Sequence, residues 1–360
     1  MEHDYTRDQV VGSFLAGAVG DALGGGVEFD SWSTIEAAHG PGGIREYVPA
    51  YGRLGAITDD TQMTLFTAEG LIRAATRHLV NGHCHTPTVV HHAYLRWLAT
   101  QQGLNRASAA RDHLDGWLIG VEELWARRAP GNTCLTALES GRMGEVATAI
   151  NDSKGCGGVM RAAPAGLAPP SRRFDLGCEV AAITHSHPDG IYPGGALAVI
   201  VGALFDGEDL ASAVHAAETE LSRPPRAAAT LAALRAGREV GSRGLPSVAD
   251  LEALGGGWVG EEALAIAVAC AIGSYDRPGR ALVASVNHSG DSDSTGSICG
   301  NILGAAHGTK WLLPSWLEHL ELRDVITQIA RDGHRALHIG VPTDADHHVD
   351  PLWLQRYPAT

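Results

Sequence analysis

The sequence predicts an all-α fold class, and three observations support this. Apolar residues recur at three- and four-residue steps almost throughout the chain, which is typical of amphipathic helices. Strict alternation of apolar and polar residues over strand length is scarce. With 360 residues of which 44% are hydrophobic, the chain can bury a sizeable core. We therefore expect a compact helical bundle with long loops rich in glycine and proline.

The first predicted helix follows Asp8, an N-capping residue type, and its apolar positions run from Val10 to Leu23. Small residues step by four along the same segment: Gly12, Ala16, Gly20 and Gly24. They form a narrow ridge against which another helix can pack closely.

Further helices are predicted, in chain order, at about 60–80, 87–101, 118–127, 174–186, 193–205, 208–221, 226–238, 260–273, 278–287, 295–307 and 323–336. The best strand-like piece is Ile44–Val48, and one short strand makes no sheet. Segments 39–57 and 130–160 are glycine-rich loops, and such loops in a compact domain are often functional. We expect one domain over residues 1–360, with a core at about 8–340. The irregular tail at about 341–360 should pack on the surface or stay flexible.

The charge balance excludes several classes of partner. The chain has 27 Lys and Arg against 41 Asp and Glu, a formal net charge of −14. Such an acidic chain is a poor electrostatic partner for a nucleic-acid backbone or an anionic membrane, although a small phosphate-bearing ligand is not excluded. No CxxC pair and no signal-peptide pattern is present, and the apolar runs are shorter than a membrane span. These features predict a cytoplasmic protein with reduced thiols.

Two acid-rich segments each precede a predicted helix. The first is Thr58-Asp59-Asp60-Thr61, and the second is Asp291-Ser292-Asp293-Ser294 within the run 288–296. Either segment alone is read most simply as a helix N-cap. The functional alternative is ligation of a hard cation such as Mg²⁺, Mn²⁺ or Ca²⁺ through carboxylates and hydroxyls. If the two segments face each other, their carboxylates repel without a cation, which favours a metal site.

Three further segments carry weaker signals. Glu28 follows glycines that end the first helix, so it is either a solvated turn residue or a general acid/base. The loop Ser153–Gly158 is glycine-rich without a Walker A ending, and such a loop is either a plain turn or a phosphate cradle. His185 either caps a helix C-terminus or bonds a sugar hydroxyl. Cys156 has no partner pattern for a nucleophile.

Taken together, these segments resemble the ADP-ribosylglycohydrolase family. The matching motifs are GDALGGGVEF at 20–29, TDDTQM at 58–63, KGCGGVMRAAP at 154–164, THSHP at 184–188, GGGWVGEEALAIA at 255–267 and SGDSDSTGSICGNILGAAHG at 289–308. They occur in order from about residue 10 to residue 308. The paired TDDT and SGDSDSTG motifs are specific only in combination.

The resemblance implies an all-α, single-domain orthogonal helical bundle with a metal-containing central cleft that holds two Mg²⁺ or Mn²⁺ ions. The metal ligands it implies are Thr58, Asp59, Asp60, Asp291, Asp293 and Ser294. The catalytic residues are Glu28 with Asp59, Asp60 and Asp291. The substrate-binding residues are Ser153, Lys154, Gly155, Gly157, Gly158, His185 and Ser292. One departure is Gly26, where relatives often carry proline, which could loosen the loop that positions Glu28.

The implied function is hydrolysis of the C1″ glycosidic bond of ADP-ribose attached to an acceptor, most simply protein arginine, which would make the protein an N-glycosyl hydrolase. We expect a monomer whose partners are ADP-ribose and ADP-ribosylated protein, with no membrane and with nucleic acid only as a modified substrate. The alternatives are another acceptor (serine, nucleic acid or O-acetyl-ADP-ribose), a non-catalytic relative that binds ADP-ribose or serves a structural role, and a metal-dependent phosphohydrolase. In the folded protein, Lys154 or Arg161 could assist in holding the diphosphate.

Overall fold

A computed structural model describes residues 5–102 and 114–360, and the all-α prediction is confirmed. The α-helices, labelled α1 to α16 in chain order, are Tyr5–Gly24, Trp32–His39, Asp59–Asn81, Thr86–Gln101, Asn132–Glu139, Arg173–Ala182, Pro188–Phe205, Leu210–Leu221, Ala228–Ser242, Val248–Glu252, Gly260–Gly273, Pro278–Ser285, Ser292–His307, Pro314–His319, Arg323–His334 and Pro351–Arg356. Within the described ranges only isolated β-bridges occur and no strand forms.

Helices α1 and α13 make the closest helix pair, and their glycines permit it. A Cβ atom on Gly296 would lie 2.5 Å from the carbonyl oxygen of Gly20, and one on Gly304 would lie 2.1 Å from that of Gly12. The pair is antiparallel, because Gly24 at the end of α1 lies against Ser292 at the start of α13. The small-residue ridge predicted from the sequence is therefore confirmed, and α13 is its partner.

The apolar centre of the molecule is built around α7, which packs on α6, α8, α11 and α13. Helix α7 begins at Pro188 rather than near 193 as predicted, and Pro193 lies inside it. It is the one helix of the described part that is long and apolar enough to cross a membrane, and 94% of it is buried within the protein. The buried apolar side chains form one continuous core.

Several element predictions were wrong. The segment Ile44–Val48 is not a strand, because the backbone N–H and C=O of Ile44 bond to the Asn287 side chain instead of to a neighbouring strand. The helix predicted at 118–127 is two short 3₁₀ turns, Leu118–Gly120 and Glu122–Trp125. Helices α2 and α5 lie in segments that the sequence did not mark as helical, and α2 buries only Ile35.

The tail after residue 340 is also better ordered than predicted, because it ends in helix α16 with buried aromatic side chains. Trp353 donates its indole N–H to Thr76 Oγ1 at 3.0 Å, and Tyr357 donates its hydroxyl to Asp332 Oδ2 at 2.7 Å. These bonds attach the end of the chain to α3 and α15.

We predict that Gly296→Ala destabilises the protein by about 1–3 kcal/mol, because the added methyl group overlaps the backbone of α1. The measurement is the midpoint of urea unfolding. The matched control is Gly279→Ala in α12, where the nearest atom to a new Cβ, Trp316 Cη2, is 3.8 Å away. The control should be neutral or slightly stabilising, and equal losses in the two variants would contradict the close packing of α1 on α13.

Candidate metal centre and active-site cavity

The first wall of the site is the N-terminus of α3. Thr58 is its N-cap, and its hydroxyl accepts a hydrogen bond from the Asp60 N–H at 3.3 Å. Asp59 accepts from the Gly131 N–H at 3.0 Å. Both interactions hold the two acids of the first turn in fixed positions, as the N-cap interpretation of TDDT requires.

Asp21, on α1, holds this helix start in place. Its carboxylate accepts bonds from the backbone N–H of Thr58 at 3.0 Å and of Thr61 at 3.1 Å. The Thr61 hydroxyl donates to the same carboxylate. Asp21 is fully buried, so these contacts lie in a low-dielectric region where they are strong. They join α1 to α3 directly behind Asp59 and Asp60.

The second wall is the N-terminus of α13. Asp291 is the N-cap and accepts from the Ser294 N–H at 3.3 Å, while Asp293 Oδ1 accepts from the same N–H at 2.9 Å. The Asp291 N–H in turn donates to the Gly256 carbonyl at 2.8 Å. Asp291 and Asp293 line the same cavity as Asp59 and Asp60 of the first wall. The two acid-rich helix starts therefore face each other.

Glu28 completes the carboxylate cluster. It lies on the turn after α1, and its carboxylate oxygen lies within 4.8 Å of one oxygen each of Asp291 and Asp293. All three side chains are buried. The glycine contact between α1 and α13 explains this proximity, since it places the end of one helix beside the start of the other.

These side chains surround a cavity of about 210 Å³. Its walls contain the acids of both helix starts, Glu28, the glycine-rich loop and the end of α6, contributed by Glu28, Asp59, Asp60, Ala129, Gly131, Asn132, Thr133, Cys134, Gly155, Cys156, Gly157, Met160, His185, Trp258, Asp291, Asp293 and Ser294. No Lys or Arg of the described chain lines it.

Burial and mutual repulsion raise the pKa of the carboxylates in the cluster. The pKa of Glu28 is raised to about 10, first by burial and then by Asp293 and Asp291. Burial and Asp293 raise the pKa of Asp21 to about 7. The pKa values of Asp59 and Asp60 are raised well above their usual range for the same reasons.

The donor set fits a divalent cation. Asp60 Oδ1 is buried and has no hydrogen-bond partner within the described residues. A buried carboxylate oxygen without a partner is costly, and a hard cation with oxygen ligands removes that cost. Asp59, Asp60, Asp291 and Asp293, with the hydroxyls of Thr58 and Ser294 beside them, supply such ligands.

The glycine-rich loop forms the opposite side of the cavity. Gly155 and Gly157 line it, and a Cβ atom on Gly157 would lie 3.0 Å from His185 Cε1. The His185 ring bonds to Thr184 Oγ1 at 2.8 Å. Burial, and then Arg161, lower the pKa of His185 to about 3, so this ring is neutral near neutral pH. It can exchange hydrogen bonds with a ligand but offers no charge.

Other predicted site residues lie outside the cavity lining. The Ser153 hydroxyl bonds to Thr133 Oγ1 at 2.9 Å, and Lys154 Nζ pairs with Glu261 Oε1 at 3.0 Å. Gly158 packs against the Gly190 carbonyl, and Ser292 packs against Gly24.

Arg161 is also engaged elsewhere, since it donates to Thr184 Oγ1 at 2.6 Å and lies 4.4 Å from the Tyr94 ring centroid. Lys154 and Arg161 therefore each have partners of their own, and neither lines the cavity.

Sequence reasoning missed three residues of the site. Asp21 has a signal in the sequence, because it is an acid within the apolar pattern of α1. Trp258 lines the cavity and stacks on the exposed ring of Phe29, with 5.8 Å between ring centroids. Cys156 donates its thiol hydrogen to Asp291 Oδ2 at 2.8 Å. The partners of Trp258 and Cys156 are distant in sequence, so no local pattern indicates them.

The fold and the cavity define the class of protein: an all-α protein with a buried carboxylate cluster suited to a divalent cation. The family model for ADP-ribosylglycohydrolase matches residues 2–344, and the chain therefore belongs to this family.

The similar proteins agree with this assignment. ADP-ribosyl-[dinitrogen reductase] glycohydrolase of Rhodospirillum rubrum is 27% identical over 334 residues, covering 88% of this chain and 92% of that protein. The uncharacterized protein YegU of Escherichia coli K12 is 24% identical over 335 residues, covering 87% of this chain and 92% of that protein. A solved structure, "ADP-ribosylglycohydrolase-related protein complex", has a TM-score of 0.61 at 23% identity, over 92% of this chain and 98% of that chain. This structural likeness supports the fold.

The raised carboxylate pKa values predict an unusual dependence of stability on pH. A group whose pKa is higher in the folded than in the unfolded state stabilises the fold at low pH and loses that effect as pH rises through the folded value. For Asp21 and Glu28 the folded values are about 7 and about 10. In EDTA, the melting temperature should therefore fall between about pH 5 and about pH 8.

Added Mn²⁺ should restore the melting temperature more at the higher pH, because the cation binds the ionised carboxylates. Differential scanning fluorimetry measures both effects, and Asp293→Asn should reduce both. A melting temperature that rises with pH in EDTA over this range would contradict the clustered, buried carboxylates.

Proposed function

We propose that the protein is a divalent-metal-dependent hydrolase that cleaves the C1″ glycosidic bond of ADP-ribose on protein arginine and releases ADP-ribose. The observation that carries the proposal is the meeting of two acid-rich helix starts and Glu28 in one cavity. Membership of the ADP-ribosylglycohydrolase family supports the reaction class. The metal requirement and the arginine acceptor go beyond family membership and are part of this proposal.

Glycosidic cleavage passes through an oxocarbenium-like state and needs a group that moves a proton to or from the reacting atoms. Glu28 suits this role because burial and the neighbouring Asp293 and Asp291 raise its pKa to about 10. In the metal-free site it holds a proton near neutral pH, and a cation at the neighbouring carboxylates would lower that pKa toward the operating range. Glu28 then exchanges a proton with water or with the leaving group.

The proposed metal ligands are Asp59, Asp60, Asp291 and Asp293, with Thr58 and Ser294, and the proposed ions are two Mg²⁺ or Mn²⁺. Bound divalent ions would orient the ribose hydroxyls and make a coordinated water more acidic. Asp21 acts behind these ligands, since its carboxylate holds the backbone of Thr58 and Thr61. The hydrogen bonds from Gly131 and Ser294 orient Asp59 and Asp293.

The opposite wall is proposed to hold the diphosphate and the ribose. Gly155 and Gly157 line the cavity without a side chain, so a ligand can approach the backbone closely. His185 is neutral and can bond a sugar hydroxyl.

Arginine is proposed as the acceptor because of the charge of the cavity. Its lining contains five acids and, within the described chain, neither Lys nor Arg. A guanidinium leaving group carries positive charge and meets no Lys or Arg there that would repel it, and carboxylate oxygens beside the cations can accept its N–H groups, which a serine hydroxyl lacks.

We predict that Glu28→Gln lowers kcat by about 10²–10⁴-fold, because the amide cannot transfer the proton. Mg²⁺ or Mn²⁺ affinity, measured by isothermal titration calorimetry, should change little. Asp293→Asn is the matched comparison and should lose both metal affinity and turnover. A Glu28→Gln variant with unchanged kcat would overturn the proton-transfer role, and one that no longer binds metal would make Glu28 a ligand instead.

We also predict that kcat/KM for an ADP-ribosylarginine peptide exceeds that for the matched ADP-ribosylserine peptide by at least about tenfold, as electrostatic stabilisation of the leaving group requires. The measurement is released ADP-ribose with Mg²⁺ or Mn²⁺ present. Equal rates, or a preference for serine, would reject the arginine acceptor. Release of phosphate instead of ADP-ribose would reject the glycohydrolase reaction.

A further inference from the structure

An open groove of about 1060 Å³ lies in the described structure, and it shares no lining residue with the carboxylate cavity. It lies between the 41–46 loop, the start of α12 and the residues around α14. We call it the arginine groove. The arginines and tryptophans that line it are Arg45, Arg277, Arg280, Trp32, Trp311 and Trp316.

The three arginines are exposed, and the ion pairs of the described residues include none of them. Some exposed arginines are paired, as Arg238 is with Glu218 at 2.7 Å, and others such as Arg142 are not, but here three unpaired arginines line one groove. The only acid that lines the groove is Glu46, whose carboxylate lies 3.3 Å from the Ser315 hydroxyl. The groove is thus locally positive on a chain whose net charge is −14.

The groove also presents apolar surface. Leu245 and Leu313 line it and are 39% and 42% exposed, and Trp32 and Trp311 are partly exposed, whereas Trp316 is buried. Exposed aromatic and aliphatic side chains beside unpaired arginines are typical of surfaces that bind other proteins.

The groove shares structural elements with the carboxylate cavity. Trp32 lies four residues after Glu28, and Asn287, another lining residue, lies four residues before Asp291. The Trp32 N–H donates to Ser289 Oγ at 2.8 Å, which joins the two segments. The groove and the cavity are therefore bounded by neighbouring segments of the chain.

We propose that the arginine groove binds an acidic segment of the ADP-ribosylated protein, with apolar side chains of that segment resting on Trp32, Trp311 and the leucines. This inference rests on the proposed function. Charge complementarity favours an acidic occupant, and the apolar surface favours a peptide. A nucleic-acid strand carries charge along its whole length and would meet the acidic surface beyond the groove.

The test uses two ADP-ribosylarginine peptides of equal length, one with a tail of glutamate and tryptophan and one with a tail of glycine and serine. The wild-type protein should show the lower KM for the acidic peptide. The double variant Arg277→Glu/Arg280→Glu should raise that KM by about tenfold, because two attractions become repulsions. Its kcat, and its KM for the neutral peptide, should not change.

The matched control is Arg142→Glu/Arg226→Glu, which changes the net charge equally at exposed arginines outside both cavities. It should retain the wild-type preference for the acidic peptide. Equal KM values for the two peptides in the wild type, or an equal loss of preference in the control, would overturn the proposal.

A binding measurement separates this proposal from the proposed function. Fluorescence anisotropy of the unmodified, fluorescein-labelled acidic tail should show binding that weakens with added salt and is lost in the groove variant. If neither ADP-ribosylated peptide is hydrolysed, the proposed function fails while this binding still reports on the groove. Tighter binding of a labelled oligothymidine to the groove would overturn the choice of a peptide partner.

Discussion

The close contact between α1 and α13 is the constraint on which the site depends. Because glycines face each other along both helices, the end of α1 lies beside the start of α13, and Glu28 meets Asp291 and Asp293 there. Asp21 extends the arrangement, since the same helix that packs on α13 also holds the start of α3. One helix thus aligns all three sources of carboxylates.

The site places several carboxylates close together in a buried region, where they repel one another. Helix N-termini stabilise individual acids through the helix dipole and capping bonds, but burial and mutual repulsion of the cluster outweigh this and raise the pKa values. The fold tolerates the conflict because the helices are fixed by packing elsewhere. The carboxylates are therefore held ready for a cation at the expense of the stability of the metal-free protein.

Whether the sequence could predict a feature of the fold or the site depends on how far apart in the sequence the interacting residues lie. The helical class, the small-residue ridge of α1 and the caps at Thr58 and Asp291 follow local rules and were predictable. That the two acid-rich segments face each other could only be stated as a condition, because no local sequence pattern determines how two distant helix starts are placed. Asp21, Trp258 and the thiol bond of Cys156 act through partners far away in sequence, so local patterns do not contain them. The burial of Trp353 and Tyr357 was missed for the same reason.

The pairing of α1 with α13 also orders the events of folding. Gly12 and Gly304 lie far apart in the sequence, so α1 lacks the helix on which it packs most closely until α13 has been synthesised. Contacts so distant in sequence form late and slowly, and until then the apolar face of α1 is open to misassembly. The complete carboxylate cluster therefore requires the pairing of α1 with α13, and an intermediate in which these helices are apart lacks it.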